Sequence, residues 1–486
     1  MKRFTCAILL LAVLVFSVHT KSLAILLPNA AVGSGESSLL ALFGLGYLVG
    51  PTVDPTSNDF QAEEHIAIDP NNPNFLIAVV TDFSLNSVTD HTRRGSQATT
   101  KYAVSIDGGA TWKDSFIPLF GGFSVTPDGR THDDTDDPSV AIDRLGNVYL
   151  ANLYSDRPDS IPSLYVSVSN VKQLARFASG HADGFVLGNI YPVSHNSDPA
   201  NPDLNDKPWI AVDNSANPAT AGNVYIVWEL VGHTGFDIVF ARSSDHGRTW
   251  STPISLHKDT GGSVVTDAQV AVGPGGEVYV VWGRNLFPYG TAKLQFVKSM
   301  DGGRNFTRPV DITGNYKPVK FDSTYRTPDY PGLAVSPVDG SIYVAYADMQ
   351  NKAGTEVEFI RSTDGGASFS APTIVNDVSM GHQFMQAIAV DELGIIHMSW
   401  YDTRNSPNDS SNLDIYATFS TDGGVTFRPS ARVTPSSFNV GIVLFIGDYA
   451  GIAAAGGVAH PVWTNIFRNA DGSRGGGLQT STLRVP

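Results

Sequence analysis

The sequence predicts an all-β protein built from repeated antiparallel sheets, and three observations lead to this prediction. The 486-residue chain contains 47 glycines and 29 prolines but only 16% charged residues, a composition typical of turn-rich β-proteins. An eight-residue segment of the form Ser-x-Asp-x-Gly-x-(Ser/Thr/Asn)-(Phe/Trp) recurs along the chain. A second pattern, two short β-patterned runs separated by a turn, recurs in phase with it. Internal repeats at such spacings indicate a repeat architecture.

The eight-residue segment, called the octet below, occurs in five copies. They span residues 105–112, 244–250 (a close variant), 299–306, 362–369 and 420–427. Asp-Gly-Gly between two β-patterned runs predicts a tight hairpin, because glycine adopts a positive φ without steric cost. The Asp side chain can accept hydrogen bonds from N–H groups of its own turn. We expect the terminal Phe or Trp on the next strand, packed between neighbouring sheets, and we expect the five aspartates to be structural.

The second pattern defines seven units. Their paired strands are predicted at residues 63–69 and 75–80, 137–143 and 148–150, 206–213 and 224–228, 267–273 and 278–282, 329–336 and 342–346, 386–391 and 395–400, and 448–453 and 458–463. Together with the octet hairpins, this gives four antiparallel strands in each unit. Radially repeated four-stranded sheets are the signature of a β-propeller. We therefore predict a propeller with seven blades, and six blades are the alternative.

Two of the units depart from the common pattern. In the second unit the octet has decayed to Ser169-Asn170 followed by an insertion, and the seventh unit lacks an outer strand. We predict that residues 47–54 supply that strand and close the ring, because closure removes exposed sheet edges. The domain organisation is then a leader at 1–24, an N-terminal segment at 25–54 and one propeller at 55–486.

The first residues read as a secretory signal peptide. Met1-Lys2-Arg3 precedes an apolar run at residues 4–18, and small residues at 22–24 offer a cleavage site, with 29–31 as a second option. A retained membrane anchor is the alternative. Cys6, the only cysteine, lies in this leader, so the mature protein is expected to have neither a disulfide nor thiol chemistry. We expect a secreted, periplasmic or extracellular protein with no membrane span after removal of the leader.

The formal net charge of −15 argues against nucleic acids and anionic membranes as partners. We expect a monomer that binds a glycan or glycoprotein. No metal motif with Cys/His spacing and no phosphate-binding loop occurs, so we expect neither a metal site nor a cofactor. The aromatic residues that end the second strands are expected in the core between blades: Trp228, Trp282, Tyr346, Trp400 and Trp463.

Carboxylates mark the starts of most units. They are Glu63, Glu64, Asp136, Asp137, Asp206, Asp267, Asp329 and Asp448. In a propeller the innermost strands start around one mouth of the central channel, so the ring would crowd these groups together. Like charges at close range raise pKa values or recruit a cation. One interpretation is a cation or ligand site, and another is a general acid/base. In the third, each carboxylate accepts hydrogen bonds from backbone N–H groups of its own or the next blade.

The octet resembles the Asp-box, or BNR repeat, of sialidase-superfamily propellers. In addition, Tyr325-Arg326-Thr327-Pro328 resembles the (Phe/Tyr)-Arg-Ile-Pro motif of sialidases. The resemblance implies that Arg326 grips the carboxylate of a sialic acid, and a planar guanidinium suits such bidentate binding. Sialidases have six blades, so seven would be a departure from the family.

The resemblance also implies a set of catalytic residues. Tyr401-Asp402-Thr403-Arg404 fits the family's Asp/Glu-x-Arg element, and Asp409 occupies a plausible acid/base position. Arg284, Arg404 and Arg468 could join Arg326 around an anion. Tyr449 could be a nucleophile if a carboxylate, Asp448 or Glu64, lies beside it. The remaining predicted ligand-binding residues are Asp137, Asp206 and Asp267.

Three functions therefore remain open from the sequence. The first is a sialidase-like glycoside hydrolase that releases a terminal anionic sugar. The second is a non-catalytic propeller that binds a glycan or a protein, and the third is a structural secreted or surface protein. Folds host many functions, so the resemblance alone leaves enzyme status undecided.

Overall fold

The structure is a computed structural model that describes residues 46–56, 61–83, 98–119, 134–155, 162–182, 184–194, 203–232, 235–259, 263–286, 290–320, 323, 325–327, 330–349, 354–441, 445–468 and 474–486. The described chain forms seven separate antiparallel sheets. Their first strands contact one another in a closed circle, so they surround a central axis. The protein is thus a seven-bladed β-propeller, which confirms the predicted fold class and the preferred blade count. The predicted leader at 1–24 lies outside the described residues.

The first three blades follow the chain from the axis outwards. Blade 1 contains β2 (Gln61–Asp69), β3 (Asn72–Asp82), β4 (Thr99–Ser105) and β5 (Lys113–Phe116). Blade 2 contains β6 (Asp134–Ile142), β7 (Asn147–Ser155), β8 (Ser163–Asn170) and β9 (Ile190–Ser194). Blade 3 contains β10 (Leu204–Val212), β11 (Val224–Gly232), β12 (Gly235–Ser243) and β13 (Ile254–Asp259).

Blades 4 to 6 repeat this order, with very short outer strands. Blade 4 contains β14 (Val264–Val272), β15 (Val278–Leu286), β16 (Thr291–Ser299) and β17 (Val310–Asp311). Blade 5 contains β18 (Gly332–Val335), β19 (Ile342–Asp348), β20 (Glu356–Ser362) and β21 (Thr373–Ile374). Blade 6 contains β22 (Gln383–Val390), β23 (Ile396–Asp402), β24 (Asn412–Ser420) and β25 (Ala431–Arg432), and β26 (Phe438–Asn439) also pairs with β24.

Blade 7 joins the two ends of the described chain. It contains β27 (Gly451–Ala455), β28 (Val458–Arg468), β29 (Arg474–Arg484) and, as its outermost strand, β1 (Leu48–Val53). The β1–β29 pairing runs antiparallel from Leu48 opposite Arg484 to Val53 opposite Thr480. The ring is therefore closed by hydrogen bonds between strands that lie more than 400 residues apart in sequence.

The decayed octet of blade 2 is replaced by a helix. Helix α1 (Val171–Ala178) begins after Asn170, whose side chain accepts a hydrogen bond from Gln173 N at 3.0 Å. Asn is a favoured N-cap because its side-chain oxygen satisfies an otherwise unpaired N–H of the first turn. Leu174 and Phe177 on this helix are buried and pack against Tyr102 of blade 1. A short 3₁₀ turn (Leu187–Asn189) then leads into β9.

The octets have the internal hydrogen bonds expected of self-stabilised hairpins. In blade 5, Ser368 N donates to Asp364 Oδ1 at 3.0 Å and Ser368 Oγ donates to Asp364 Oδ2 at 2.6 Å, while Gly366 N donates to Ser362 Oγ at 2.8 Å. Corresponding bonds occur in the other four copies. Such bonds stabilise the ionised carboxylate, and those from Asn305 lower the pKa of Asp301 to about 2.

Two details of the predicted octet were wrong. The blade 3 copy begins at Ser243. As the first serine does in the other copies, Ser243 accepts a hydrogen bond through its hydroxyl from the second glycine position, here Gly247 N at 2.9 Å. The terminal aromatic residues precede the fourth strands. Trp112 lies just before β5, and its indole folds back to donate to Gly109 O at 3.0 Å. These aromatics do pack onto the hydrophobic clusters between sheets.

The core lies between neighbouring blades. The aromatic residues that end the second strands are all at most 1% exposed, which confirms their predicted position: Trp228, Trp282, Tyr346, Trp400 and Trp463. Each belongs to a hydrophobic cluster that joins residues of two adjacent sheets. Burial of large aliphatic and aromatic side chains in these interfaces explains how sheets without a shared ladder stay together.

The second glycine of the octet contacts the preceding blade, and this contact yields a stability prediction. Gly366 has φ +79°, and a Cβ built there would lie 2.6 Å from the Phe296 ring. Gly365 has φ +67° and nothing within 4 Å of such a Cβ. We expect Gly366→Ala to destabilise the fold by about 2–4 kcal/mol, from backbone strain plus overpacking, and Gly365→Ala by about 1–2 kcal/mol, from backbone strain alone. Denaturant unfolding measures both, and equal losses would contradict the packing role of Gly366.

Candidate functional site

The innermost strands contain a repeated bulge near their starts. In blades 1, 2, 3, 4 and 6 the pairing with the second strand shifts register at the same step. The bulged residue has a positive φ, although none is glycine: Glu63 (66°), Asp137 (49°), Lys207 (51°), Asp267 (68°) and Met385 (51°). Left-handed backbone at non-glycine residues is uncommon and costs free energy, and it often marks functional sites. Four of the five bulged residues are charged, and they meet at the mouth of the ring where the innermost strands begin.

Lys207 lies at the centre of these charged groups. Its ammonium nitrogen is 3.0 Å from Asp206 Oδ2 and 3.4 Å from Asp448 Oδ2, and its backbone N donates to Asp137 Oδ2 at 3.2 Å. The side chain is 15% exposed. Burial opposes the charged form of Lys207, but Asp206, Asp448, Asp137 and Glu229 together outweigh burial and raise its pKa. Lys207 therefore stays charged, with its ammonium paired to Asp206 and Asp448 and its backbone N bound to Asp137.

Arg326 supplies the second cation at this mouth. Its guanidinium pairs with Asp448 Oδ2 and stacks on the Phe445 ring, with 4.8 Å between the guanidinium carbon and the ring centroid. Its side chain is 57% exposed, whereas that of Asp448 is 2% exposed. Asp448 Oδ1 has no hydrogen-bond partner among the described residues. Asp448 thus joins Lys207 and Arg326 through one oxygen and leaves the other oxygen unpaired.

Glu63 and Asp137 form a buried carboxyl pair across blades 1 and 2. Their side chains are hydrogen-bonded to each other. The Thr81 hydroxyl donates to Glu63 Oε2 at 3.0 Å and accepts from Asp137 N at 3.2 Å. Burial and the charge of Asp448 raise the pKa of Glu63 to about 7, and burial and Glu63 raise that of Asp137. The pair therefore shares a proton near neutral pH.

A second carboxyl pair lies across blades 3 and 4. Glu229 accepts hydrogen bonds from Asp267 N and from the Thr266 hydroxyl, which also lies 2.7 Å from Asp267 Oδ1. Burial raises the pKa of Glu229 to about 7, even though Lys207 lowers it, and burial and Glu229 raise that of Asp267. The Tyr330 side chain is hydrogen-bonded to Asp267. A tyrosine hydroxyl and a carboxylate therefore do meet at this mouth, but the tyrosine is Tyr330.

We call the seven acidic residues of this mouth the acidic cluster. They are Glu63, Asp136, Asp137, Asp206, Glu229, Asp267 and Asp448. Their mutual repulsion is visible at Asp136, whose pKa is raised by burial and by Asp137, Asp134 and Asp206. Two of these carboxyl groups also have the structural role considered from the sequence. Asp137 and Glu229 accept hydrogen bonds from backbone N–H groups of the next blade.

Aromatic residues lie beside the acidic cluster. Trp209 is half-buried, and its ring centroid is 4.5 Å from that of His65 and 5.8 Å from that of Tyr449. Tyr330 lies 6.3 Å from Tyr449 on the same measure. The Tyr449 hydroxyl is buried and donates to Pro138 O at 3.1 Å, and burial with the nearby carboxylates of Asp137 and Glu63 raises its pKa. Tyr449 is therefore close to carboxylates and is held in the phenol form.

Glu64 belongs to neither of the two carboxyl pairs. Its side chain is fully buried, and neither oxygen has a hydrogen-bond partner in another described residue. Burial raises its pKa well above the ordinary value. Burial and the charge of Glu64 both raise the pKa of Tyr401, and Glu64 also contributes to the raised pKa of Tyr449, so it lies near both side chains.

Two of the predicted residues of blade 6, Asp402 and Arg404, form a separate network. Asp402 is fully buried and accepts from Trp400 Nε1 at 2.9 Å and from Arg404 Nε at 2.8 Å. Arg404 also pairs with Asp377 Oδ1 at 2.9 Å. Asp409 accepts from Ser411 N at 3.0 Å in an exposed turn. Arg404 and Arg326 thus contact different carboxylates.

The other two predicted arginines do not contact the acidic cluster in the part of the chain that the structure describes. Arg284 pairs with Asp259 Oδ2 at 3.0 Å across blades 3 and 4. The side chain of Arg468 and all of Asp329 lie outside the described residues. The structure therefore brings Arg326, Asp448, Asp137, Asp206 and Asp267 together, but it does not join Arg284 or Arg404 to them.

Sequence reasoning missed Lys207, Glu229, Tyr330 and Trp209. A signal for Lys207 existed, because Asp206-Lys207-Pro208 repeats the pattern of Asp136-Asp137-Pro138 at the start of the preceding unit. Glu229 follows Trp228 at the end of a second strand, where a carboxylate next to an apolar run is unusual. In the described ranges, no group of three or more His, Cys, Asp or Glu side chains has a geometry suited to a metal ion. None of the helices in those ranges is long and apolar enough to cross a membrane.

Comparisons with known proteins identify the fold but no family. No protein-family model matches the chain, and no curated protein matches it. A solved protein of unknown function from Dyadobacter fermentans superposes with a TM-score of 0.50 at 12% identity, over 91% of this chain and all of that chain. An alpha-L-arabinofuranosidase from Fusarium graminearum gives 0.43 at 12% identity, over 90% and 98% of the two chains. A sialidase from Streptococcus pneumoniae gives 0.43 at 12% identity, over 94% and 73%. The solved structures that resemble this chain thus include an arabinofuranosidase and a sialidase, and at 12% identity such a likeness concerns the fold alone.

Proposed function

We propose that the acidic cluster is the active site of a glycoside hydrolase. One observation carries this proposal. The same solvent-accessible mouth contains carboxyl groups that hold a proton and a carboxylate that is bound to a cation. The Glu63–Asp137 pair shares a proton near neutral pH, while Asp206 is bound to the Lys207 ammonium and is 34% exposed. Glycosidic bond cleavage needs such a division, with one carboxylic acid to protonate the leaving oxygen and one carboxylate to act as base or nucleophile.

In this proposal the residues have distinct roles. Glu63, with a pKa of about 7, is the general acid, and Asp137 and Thr81 hold its proton in place. Asp206 is the base or nucleophile, and Lys207 orients it. Trp209 and Tyr330 offer aromatic faces to a sugar ring. The sialidase-type reaction implied by the resemblance instead uses Asp402 or Asp409 with converging arginines. The separate ion pairs of Arg326, Arg284 and Arg404 favour the carboxyl-based site over that arrangement.

Turnover of fluorogenic glycosides tests the proposal. We expect the wild type to cleave at least one member of a panel that contains neutral glycosides, an amino-sugar glycoside and a sialoside. Glu63→Gln removes the acid, so kcat should fall by about 100-fold or more. Activity of the wild type should decline as the pH rises above about 7, because Glu63 then loses its proton.

Two further variants locate the chemistry. Glu392→Gln changes an exposed acid in the turn between β22 and β23, at the opposite end of the blade, and should keep wild-type turnover. Asp409→Asn tests the position that the resemblance implies. Loss of activity in Asp409→Asn with full activity in Glu63→Gln would contradict the proposal. Specific glycan binding without any turnover would leave a binding propeller in place of an enzyme.

A further inference from the structure

The end of the ring opposite the mouth exposes apolar side chains. We call this end the octet face, and it consists of the octets and of the inner turns, which join the first and second strands of each blade. The five most exposed large apolar side chains among the described residues all belong to it: Leu145 (75%), Met300 (68%), Val338 (64%), Leu393 (62%) and Val425 (57%). Single exposed apolar residues are ordinary, but their concentration on one face marks an interaction surface.

Three of these side chains, Leu145, Val338 and Leu393, occupy the same place in their inner turns, and we call them the apolar tips. The backbone N of each donates to a buried polar side chain two residues earlier in the chain. The acceptor oxygens are Asp143 Oδ1 at 2.9 Å, Ser336 Oγ at 3.3 Å and Asp391 Oδ1 at 3.1 Å. Such hydrogen bonds fix the backbone of a turn, so the apolar tips are presented to solvent by ordered turns.

The inner turns are also linked between blades. Asn71 Nδ2 donates to Arg144 O at 2.9 Å between blades 1 and 2, and Gly457 N donates to Asp391 Oδ2 at 2.8 Å between blades 7 and 6. A Cβ built on Gly394 would lie 3.4 Å from Val338 Cγ2, so the inner turns of blades 5 and 6 are neighbours. The apolar tips therefore stand on turns that belong to one connected end of the ring.

The first described strand starts at this same face. Leu48 of β1 lies opposite Arg484, and the next residue, Val485, donates its N to Gly457 O at 2.8 Å in the inner turn of blade 7. Just before this strand, the sequence of residues 39–45 contains four leucines and one phenylalanine. A chain extends by at most about 3.6 Å per residue, so this apolar run is tethered to the octet face. It is too short to cross a bilayer, which takes about 20 apolar residues in a helix.

We infer that the octet face binds the surface of a lipid bilayer, so that the apolar tips and residues 39–45 insert among the headgroups and the mouth faces the solution. Stable membrane binding usually takes two weak signals, and this face carries both. Separate tips on separate turns fit a fluid bilayer, whereas a rigid partner would need a matching hollow for each tip. Charges of both signs flank the tips, at Arg144, Asp339 and Glu392. They suit zwitterionic headgroups, and the net charge of −15 disfavours anionic ones.

Sedimentation of the mature chain, from residue 25, with phosphatidylcholine vesicles tests this inference. The mature chain is used because the apolar run at 4–18 would bind lipid by itself. We expect the wild type to bind and to stay bound at high salt, because salt screens charges and not apolar insertion. A tip variant with Leu145→Ser, Val338→Ser and Leu393→Ser should bind about tenfold or more weakly, and each single substitution about two- to fourfold more weakly.

Met380→Ser is the matched control. Met380 is also a large apolar residue, 56% exposed, but it lies in the loop before β22, at the mouth end of blade 6. Its substitution should leave vesicle binding at the wild-type level. Thermal unfolding of every variant checks that it is folded, and because the substituted side chains are exposed we expect the melting temperature of the wild type in each.

Several results would overturn the inference. One is absence of wild-type binding to the vesicles, and another is release of the protein by salt. Equal binding by the tip variant and the wild type would show that residues 39–45 act without the octet face, and an equal loss in Met380→Ser would show a general effect of surface apolarity. A wild-type dimer in sedimentation velocity that the tip substitutions convert to a monomer, without vesicle binding, would instead identify the face as a contact between two copies of this chain.

Discussion

A chain that begins after Val53 is expected to lose cooperative thermal unfolding, whereas a chain that begins at residue 46 should keep it. The shorter chain lacks β1, so the backbone groups of β29 that β1 satisfies become an open sheet edge. It also lacks Tyr47, which is fully buried and packs on Phe419 of blade 6 with 4.9 Å between ring centroids. Loss of such an aromatic side chain alone costs about 3–5 kcal/mol. Calorimetry of the two chains makes the comparison.

A pair of point variants at Tyr47 separates packing from hydrogen bonding. The Tyr47 hydroxyl lies 2.6 Å from His397 Nδ1, and His397 Nε2 lies 3.3 Å from Asp391 Oδ2, with His397 fully buried and Asp391 1% exposed. Tyr47→Phe should cost about 1–3 kcal/mol, since it leaves a buried ring nitrogen without its partner, and Tyr47→Ala should cost more. Identical melting temperatures for the two chains of different length would show that blade 7 is stable with three strands, which would contradict the closing role of β1.

The blade count was predictable because its determinants are local in sequence. Each octet aspartate is satisfied within its own hairpin, so the residues that form a hairpin are neighbours in the chain. Closure followed from counting strands, since a seventh unit short of a strand needs one from elsewhere. The packing of Gly366 on Phe296 of the preceding blade was beyond sequence reasoning, because the contact depends on how adjacent sheets are placed.

The site was predictable only in part, for a related reason. The carboxylates at unit starts and Arg326 follow from the repeat and from a motif, and their meeting follows from the ring. The contacts among these side chains depend on bulges at four residues: Glu63, Asp137, Lys207 and Asp267. Each bulge has a positive φ that redirects the side chain, and the residue types at these positions do not predict it. Arg326 and Asp448 are 122 residues apart in sequence, and no sequence pattern links the two positions. The arginine convergence expected from the resemblance failed because Arg404 has closer partners in its own blade.

Lys207→Met is expected to destabilise the protein by about 3–5 kcal/mol at pH 8 and by much less near pH 5, because it leaves several carboxylates without their shared cation. Burial raises the pKa of Glu63, Asp137 and Glu229, and the Lys207 ammonium lowers each of them. Without the ammonium, their folded-state pKa values rise further. A carboxyl group whose pKa is higher in the folded state than in the unfolded state stabilises the fold fully below its ordinary pKa of about 4.5. This contribution is lost as the pH rises through the pKa of the folded state. The folded wild type and the folded variant bind different numbers of protons only above the wild-type pKa of about 7, so the variant should fall behind the wild type progressively as the pH rises from about 7 to pH 8 and beyond.

Lys293→Met provides the matched control for this change. Lys293 also pairs with an aspartate, Asp311 at 2.6 Å, but the two side chains are 29% and 37% exposed. Removal of such a surface pair should change the free energy of unfolding by less than about 1 kcal/mol, with little dependence on pH. Urea unfolding of both variants and the wild type at several pH values makes the measurement. If Lys207→Met lost the same stability at every pH, the ammonium would act through packing alone, and the electrostatic account of the acidic cluster would be wrong.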